Sequence, residues 1–364
     1  MSTSVGQYGD SGAFLILDAG IDSMTQTQET LSWETSAGTL SETYAGLGSN
    51  RTAALSITPQ ITQVAAWQSN ITTAQNSLTV SSTALNQIVS LAQTLDTNIL
   101  SITGSSTSST VSSVATEAQS ALTDLATTLN TSDGTGYVFA GQDSTEPPIT
   151  NASSLASGSL ATAIAASVST LGTSGASSVM TAATNAANSD ISSVFSSSLT
   201  SLSGDETITE KAASLQKSVL TGSNTATEVG VVATQGSGLA SSSPSTGSPI
   251  YDLMRDMMVV SSMSGMSSST SGYSDLVSQL HTSLQSTIAQ LTDMESSVGV
   301  TQDNLTSQTT LLSSMQSMMK TQLSNARDAD IASVATQTSA LNTRLQASYT
   351  LVSDMKNLSL ANYI

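Results

Sequence analysis

The chain contains no cysteine, so disulfides, thiolate metal sites and cysteine nucleophiles are excluded by composition. Charge is nearly as scarce. Asp, Glu, Lys and Arg make up 9% of the 364 residues, against roughly 25% in an ordinary soluble protein, and Ser, Thr, Ala, Gln and Asn take their place. The surface is therefore polar but largely uncharged. The shortage falls hardest on positive charge: there are 8 Lys and Arg in all, Arg51 is the only one before Lys211, and the formal net charge is −18. A nucleic-acid backbone or an anionic membrane is held by clustered cations, so neither is an expected partner. The single histidine, His281, would have to anchor any Ser-His-Asp triad or His-based zinc site by itself; its ordinary reading is a helix-surface residue beside Leu280. Long apolar runs are missing too. Ala13-Phe14-Leu15-Ile16-Leu17 stops at Asp18 and has no basic flank before it, so it reads neither as a secretory signal nor as a membrane span.

What is present is periodicity. One ladder of residues steps by seven through Ile57, Val64, Ile71, Leu78, Leu85, Ala92 and Ile99, and a second through Val277, Leu284, Leu291, Val298, Leu305, Leu312, Met319 and Ala326. Trp67, Ala74, Ile88, Leu95 and Ile102 follow the first at an offset of three, as Leu280, Met294 and Met315 follow the second. An apolar period of seven specifies long helices that supercoil on a partner. Each buried Leu or Ile contributes ~1.5–3 kcal/mol, so pairing the ladders outweighs the roughly 4–5 kcal/mol needed to close a loop of about 200 residues. The two ends of the chain are expected to form one antiparallel bundle. Between Ile57 and Ile102 the only charged residue is Asp96, whereas a coiled coil in water carries Glu and Lys beside its seam. Neutral hydroxyl and amide flanks can be covered by another protein if they find hydrogen bonds.

The pattern divides the chain into five segments: 1–50, weakly self-supporting; 51–150, the N-terminal half of the helical core; 151–249, a Ser-, Ala-, Thr- and Gly-rich inserted domain; 250–327, the C-terminal half of the core; and 328–364, a last helix with Ile331, Val334, Leu341, Leu345, Val352 and Met355 on one face. The first long helix is expected from Thr52 to Ile102 with a bend or interruption near Pro59, and a second from Val111 to Leu129. Tyr137-Val138-Phe139-Ala140-Gly141, closed by Pro147-Pro148, suggests a hairpin. In the insert, helices are expected at 152–171 and 189–202 and strands near 206–209 and 227–234. Helices at 251–263 and from Tyr273 to about Asn325 restore the coiled-coil character.

Enzymatic signals are cheap. Ser214-Leu215-Gln216-Lys217 and Ser317-Met318-Met319-Lys320 spell Ser-x-x-Lys, a spacing that arises readily in a Ser-rich chain and lacks its companion motifs. Asp328 and Asp330 are better explained by the field of a helix N-terminus than as metal ligands. The methionines at 254, 257, 258, 263 and 266, and again at 315, 318 and 319, read as adaptable filling of helix interfaces. No enzyme, metal or cofactor is expected.

Asn325-Ala326-Arg327-Asp328-Ala329-Asp330-Ile331-Ala332, the periodic Gln346-Ala347-Ser348-Tyr349 and the ending Leu358-Ser359-Leu360-Ala361-Asn362-Tyr363-Ile364 resemble the C-terminal region of bacterial flagellins and the related hook-filament junction protein. Gly136 to Pro148 resembles the hairpin after that family's second core helix, and Leu40 to Leu47 its N-terminal signature. The resemblance covers both ends and not the centre. It implies a mainly α fold in which N- and C-terminal helices pair, with a small β-hairpin and a central inserted domain. It also implies type III export with a chaperone, and assembly outside the cell as a homo-oligomer beside other axial proteins (hook-associated protein and flagellin). The expected function is that of a hook-associated subunit joining hook and filament. A filament flagellin is the alternative, and a cell-surface adhesin or glycan-binding protein the alternative of another class. Core contacts are expected at Ile57, Val64, Ile71, Leu78, Leu85, Ile99, Val277, Leu284, Leu291, Val298, Leu305 and Leu312. Assembly contacts are expected at Ile331, Val334, Leu341, Leu345, Val352 and Met355.

Overall fold

A computed structural model describes residues 6–361, with side chains from 15 to 355; Asn362, Tyr363 and Ile364 of the resemblance lie outside the described residues. The elements in order are α1 (Gly6–Ala37), α2 (Arg51–Ser101), α3 (Ser108–Leu129), α4 (Ser159–Ser169), α5 (Leu171–Ser174), α6 (Ala176–Ser189), α7 (Ser197–Thr200), α8 (Ile208–Ser214), β1 (Lys217–Leu220), β2 (Ala226–Val229), α9 (Pro249–Ser261), α10 (Tyr273–Arg327) and α11 (Ile331–Ala361). The fold is mainly helical with one small antiparallel pair of strands. It forms two compact units: a central one over Trp67–Thr310, and a terminal one made of the residues up to Ala66 with those from Leu311 onward.

In the central unit α2 and α10 run antiparallel, as three side-chain bonds record. The Gln75 amide donates to Thr306 Oγ1 at 3.1 Å, the Gln285 amide to Asp96 Oδ2 at 2.6 Å, and His281 Nδ1 lies 2.6 Å from Asp96 Oδ1. That register sets Leu78 level with Leu305, Leu85 with Val298, Ala92 with Leu291 and Ile99 with Leu284, to within a turn, and all eight are buried. α2 continues through Pro59 as one helix. The carbonyl four residues back, deprived of its donor, belongs to Leu55, an exposed residue.

α3 begins where the Thr107 hydroxyl accepts from the Thr110 N–H. It buries Val111, Val114, Ala118, Leu122 and Leu125, and α9 packs on it and on α4 and α6. α9 starts with Pro249 at a position that needs no N–H donor, and every one of its residues is buried.

The insert departs from expectation in ways that have local causes. The helix expected at 152–171 is divided by Gly158, which caps α4, and by Thr170, after which α5 begins. The helix expected at 189–202 does not form: α6 ends at Ser189, where that helix was to begin. Beyond it Phe195 is buried and bridges to Ile149, which leaves only a short turn and α7. Residues 206–209 are not a strand: Thr207 accepts from the Glu210 N–H while Glu210 accepts from the Thr207 N–H, a reciprocal cap that starts α8. The strand expected at 227–234 is β2, shorter and one residue earlier, pairing with β1 in the register Lys217 with Val229 and Leu220 with Ala226. At 132–137 there is a single bridge between Ser132 and Tyr137. Asp133 turns the chain there by accepting from the Thr135 and Gly136 N–H groups, so the small β-hairpin of the fold lies at 217–229.

Candidate functional site

The terminal unit joins α1 to α11 around a small cluster of Leu31, Val334, Leu341 and Leu345, with Met24 and Ala329 against it. Its chain reversal is tied by backbone bonds: Leu40 N–H donates to the Arg327 carbonyl at 2.8 Å and Ala329 N–H to the Gly38 carbonyl at 2.9 Å. Gly38 has φ +68°, a conformation glycine adopts without strain. The Trp33 indole N–H donates to Thr39 Oγ1. Asp330 Oδ1 accepts from the Ala332 N–H at the start of α11, and Asp328 accepts from the Ser324 hydroxyl; both carboxylates are occupied at helix ends.

Of the expected assembly positions, Val334, Leu341 and Leu345 are buried within the unit, Val352 and Met355 are half-buried, and Ile331 is exposed. Of the ladder positions that fall in this unit, Val64 and Leu312 are buried and Ile57 is half-buried. In the central unit Ile71, Leu78, Leu85, Ile99, Val277, Leu284, Leu291, Val298 and Leu305 are all buried. Large apolar side chains also stand in solvent. Leu15, Ile16, Trp33, Tyr44, Leu55, Leu311, Met318, Ile331, Tyr349 and Leu351 of the terminal unit are exposed, ten among its described residues against eight of comparable kind that it buries. The central unit, twice the size, exposes five.

The central unit carries a charged core that periodicity gives no hint of. Arg255, fully buried on α9, has five N–H donors, and all five are used. Nε donates to Asp256 Oδ1, Nη1 to Thr184 Oγ1 on α6 and to the Pro244 carbonyl, and Nη2 to Asp256 Oδ1 and to Ser283 Oγ on α10. Asp252 lies 3.2 Å from the same guanidinium and accepts from Ser245, Thr246 N–H and Thr246 Oγ1. Burial acts to lower the Arg255 pKa, but the Asp256 and Asp252 carboxylates outweigh it and hold the group above its ordinary value. Four chain segments thus meet on one cation. The sequence signal was three charges within five residues of a Met-rich helix in a chain that is otherwise 9% charged. Tyr251, edge-on to Phe195 at 5.2 Å, donates to the Ala187 carbonyl, and burial together with the Asp190 charge raises its pKa. His281 proves to be more than a surface residue, since it meets Asp96, the one charge of the first ladder.

No group of three or more metal-ligating side chains is assembled among the described residues, and none of their helices is long and apolar enough to cross a membrane. The two Ser-x-x-Lys motifs hold no dyad: Ser214 Oγ donates to the Lys211 carbonyl and Lys320 Nζ to Gln316.

The fold is thus mainly helical, with the long antiparallel helices α2 and α10 separated in sequence by an inserted region. Residues 282–364 match the family model of the bacterial flagellin C-terminal helical region. A solved structure from Vibrio parahaemolyticus, provisionally named a flagellar hook-associated protein, is similar in fold with a TM-score of 0.50 at 11% identity, over 76% of this chain and 96% of that one. A search of curated proteins finds no match. The two findings agree with the flagellin-family resemblance, the first for the C-terminal region and the second for the fold.

Proposed function

We propose that the protein is a structural subunit of the bacterial flagellar axial assembly, and that its place is the junction between hook and filament. The observation that carries the reading is the terminal unit, which among its described residues leaves ten large apolar side chains in solvent, in a region that overlaps the match to the flagellin C-terminal model. Exposure on that scale marks an interaction surface. Assembly is the role that uses it, with Ile331, Val352 and Met355 meeting neighbouring subunits while residues 151–249 form the inserted, outward part. Export through the flagellar type III route, a dedicated chaperone and contacts to hook-associated protein and flagellin belong to the same proposal. No catalytic step is part of it.

The junction role is preferred over that of filament flagellin because the first ladder has neutral flanks and because the structural neighbour bears a hook-associated name. A filament subunit repeats one heterologous contact without end, whereas a junction subunit stacks between unlike neighbours. Deletion of the gene should leave cells that build hooks and release flagellin into the medium without holding filaments. A mutant that keeps normal filaments would overturn the junction role, and loss of flagellin from the secreted fraction would make this chain the filament subunit.

A further inference from the structure

Residues 237–244, Ser-Gly-Leu-Ala-Ser-Ser-Ser-Pro, belong to no helix or strand and are held across α10 by hydrogen bonds. Asp293 Oδ2 accepts from the Ser237 hydroxyl at 2.9 Å and from the Gly238 N–H at 3.1 Å. The Gln290 amide donates to the Leu239 carbonyl at 2.8 Å, the Ser242 N–H donates to Ser286 Oγ at 3.1 Å, and Arg255 Nη1 of α9 donates to the Pro244 carbonyl at 2.6 Å. Leu239, the one large aliphatic side chain of the segment, is 48% exposed, so little apolar burial holds it down. What it covers is polar as well: Gln290 is 5% exposed, and its Oε1 has no hydrogen-bond partner. The two ends of the segment meet. A β-carbon at Gly236 would lie 3.1 Å from the Gly247 carbonyl oxygen, and one at either glycine would lie 3.3 Å from the Thr209 methyl on α8. Gly247 has φ +92°, which glycine adopts without strain. Buried Thr246 donates its N–H and its hydroxyl to Asp252 Oδ1 and fixes that end. A compact loop whose ends touch can swing about them without displacing the elements it joins.

We propose that residues 237–244 are a lid that opens and closes over α10 while the helices stay folded, and that this lid is the latch of the charged core. Closed, it gives Arg255 the Pro244 carbonyl, one of the acceptors its five N–H donors need. Open, it leaves that N–H to water and admits solvent to the one buried cation among the described residues. Opening is a local event because it exchanges hydrogen bonds to α10 for hydrogen bonds to water, a near-balanced trade, and uncovers little apolar surface. The ladders and the contacts of α9 with α3, α4 and α6 are left in place. The lid stands on the geometry of the central unit and is independent of the assembly reading.

The test treats the full chain with phenylglyoxal, which adds to an accessible guanidinium, and follows each arginine by peptide mass spectrometry at several urea concentrations below the unfolding transition. Arg255 should react more slowly than the exposed Arg51, at a rate that does not change with urea, as local opening requires. A rate that climbs with urea in step with global unfolding would overturn the lid. Two variants then test the latch. The Ser241 and Ser286 hydroxyl oxygens lie 3.3 Å apart and the chain has no cysteine, so Ser241→Cys/Ser286→Cys can be closed as its only disulfide. Closed, it should slow modification of Arg255 at least tenfold and leave Arg51 unaffected, and a reductant should restore the parent rate. Asp293→Asn loosens the far end of the lid without touching Arg255, and should speed modification of Arg255 at least threefold with the thermal melt unchanged. Arg255 rates that are the same in the locked and the loosened proteins as in the parent would overturn the latch, as would a loosened variant in which the melt falls and the Arg255 rate does not move.

Discussion

Arg255 shows how much one side chain can organise. It is held by two carboxylates, two hydroxyls and a carbonyl drawn from α6, α9, α10 and the segment before α9. Removing it leaves Asp256 and Asp252 buried without their cation, so Arg255→Ala should cost ~3–5 kcal/mol in urea unfolding monitored by circular dichroism. Arg255→Lys keeps the charge but offers three donors where five are used. It should lose at least one charge-assisted bond, ~1.5–3 kcal/mol, and a lysine variant as stable as the parent would show that the geometry of the fork is irrelevant. Asp133 offers a pH readout. Partial burial pushes its carboxyl up, but bonds from Thr135, Ser77 and Gly136 pull it down to about 2 from 3.8. Since the folded value lies below the ordinary one, its stabilising contribution is complete above pH 3.8 and is lost as pH falls through about 2. The gap in melting temperature between the parent and Asp133→Asn should therefore be constant from pH 7 to 5 and close towards pH 2.

Among the elements, the ladders are where pattern and packing agree. A period of seven is a property of the whole helix, so no local competitor overrides it, and Leu78, Leu85, Leu291 and Leu305 are each at most 1% exposed. Leu78→Asp and Leu305→Asp, each placing an unpaired carboxylate in that seam, should lower stability by more than about 4 kcal/mol. An unchanged thermal melt in either variant would contradict the pairing. The short elements of the insert were less legible because their boundaries depend on single side chains. Thr207 and Glu210 spell a helix cap within the region where a strand is expected, and the cap prevails because it satisfies two backbone N–H groups at once. β1 has the pattern half-buried, exposed, half-buried, exposed, and Lys217 and Ser218 give it no strand signature of their own. The Arg255 network was hidden for a different reason, since its partners lie 71 and 28 residues away and only the fold brings them together.

At the scale of the molecule the two units differ in how much they enclose. The terminal unit closes four large aliphatic side chains between α1 and α11, which is little interior for helices of 32 and 31 residues, whereas the central unit buries an entire helix. Hydrogen exchange on the isolated, verified monomer should therefore be fast across α1 and α11 and slow across α3 and α9, and incorporation into an assembly should slow the first pair. Equal protection of α3 and α11 in the monomer would mean that the terminal hairpin needs no neighbour to be stable.

The burial of α9 also constrains the order in which the chain can mature. Its covering comes from α3, α4 and α6, all earlier in the sequence, and from Ser283 on α10, which follows it. A chain delivered from its N-terminus, whether by synthesis or by passage through a narrow conduit, holds Arg255 without its last acceptor until Ser283 arrives, 28 residues later, and the first ladder without its full mate until Leu305 has followed. Truncated nascent chains ending just before α10 should thus be readily cut by protease, and those ending beyond Leu305 resistant. Late completion of this kind keeps the polypeptide threadable for most of its length and lets it become rigid only when nearly all of it is through.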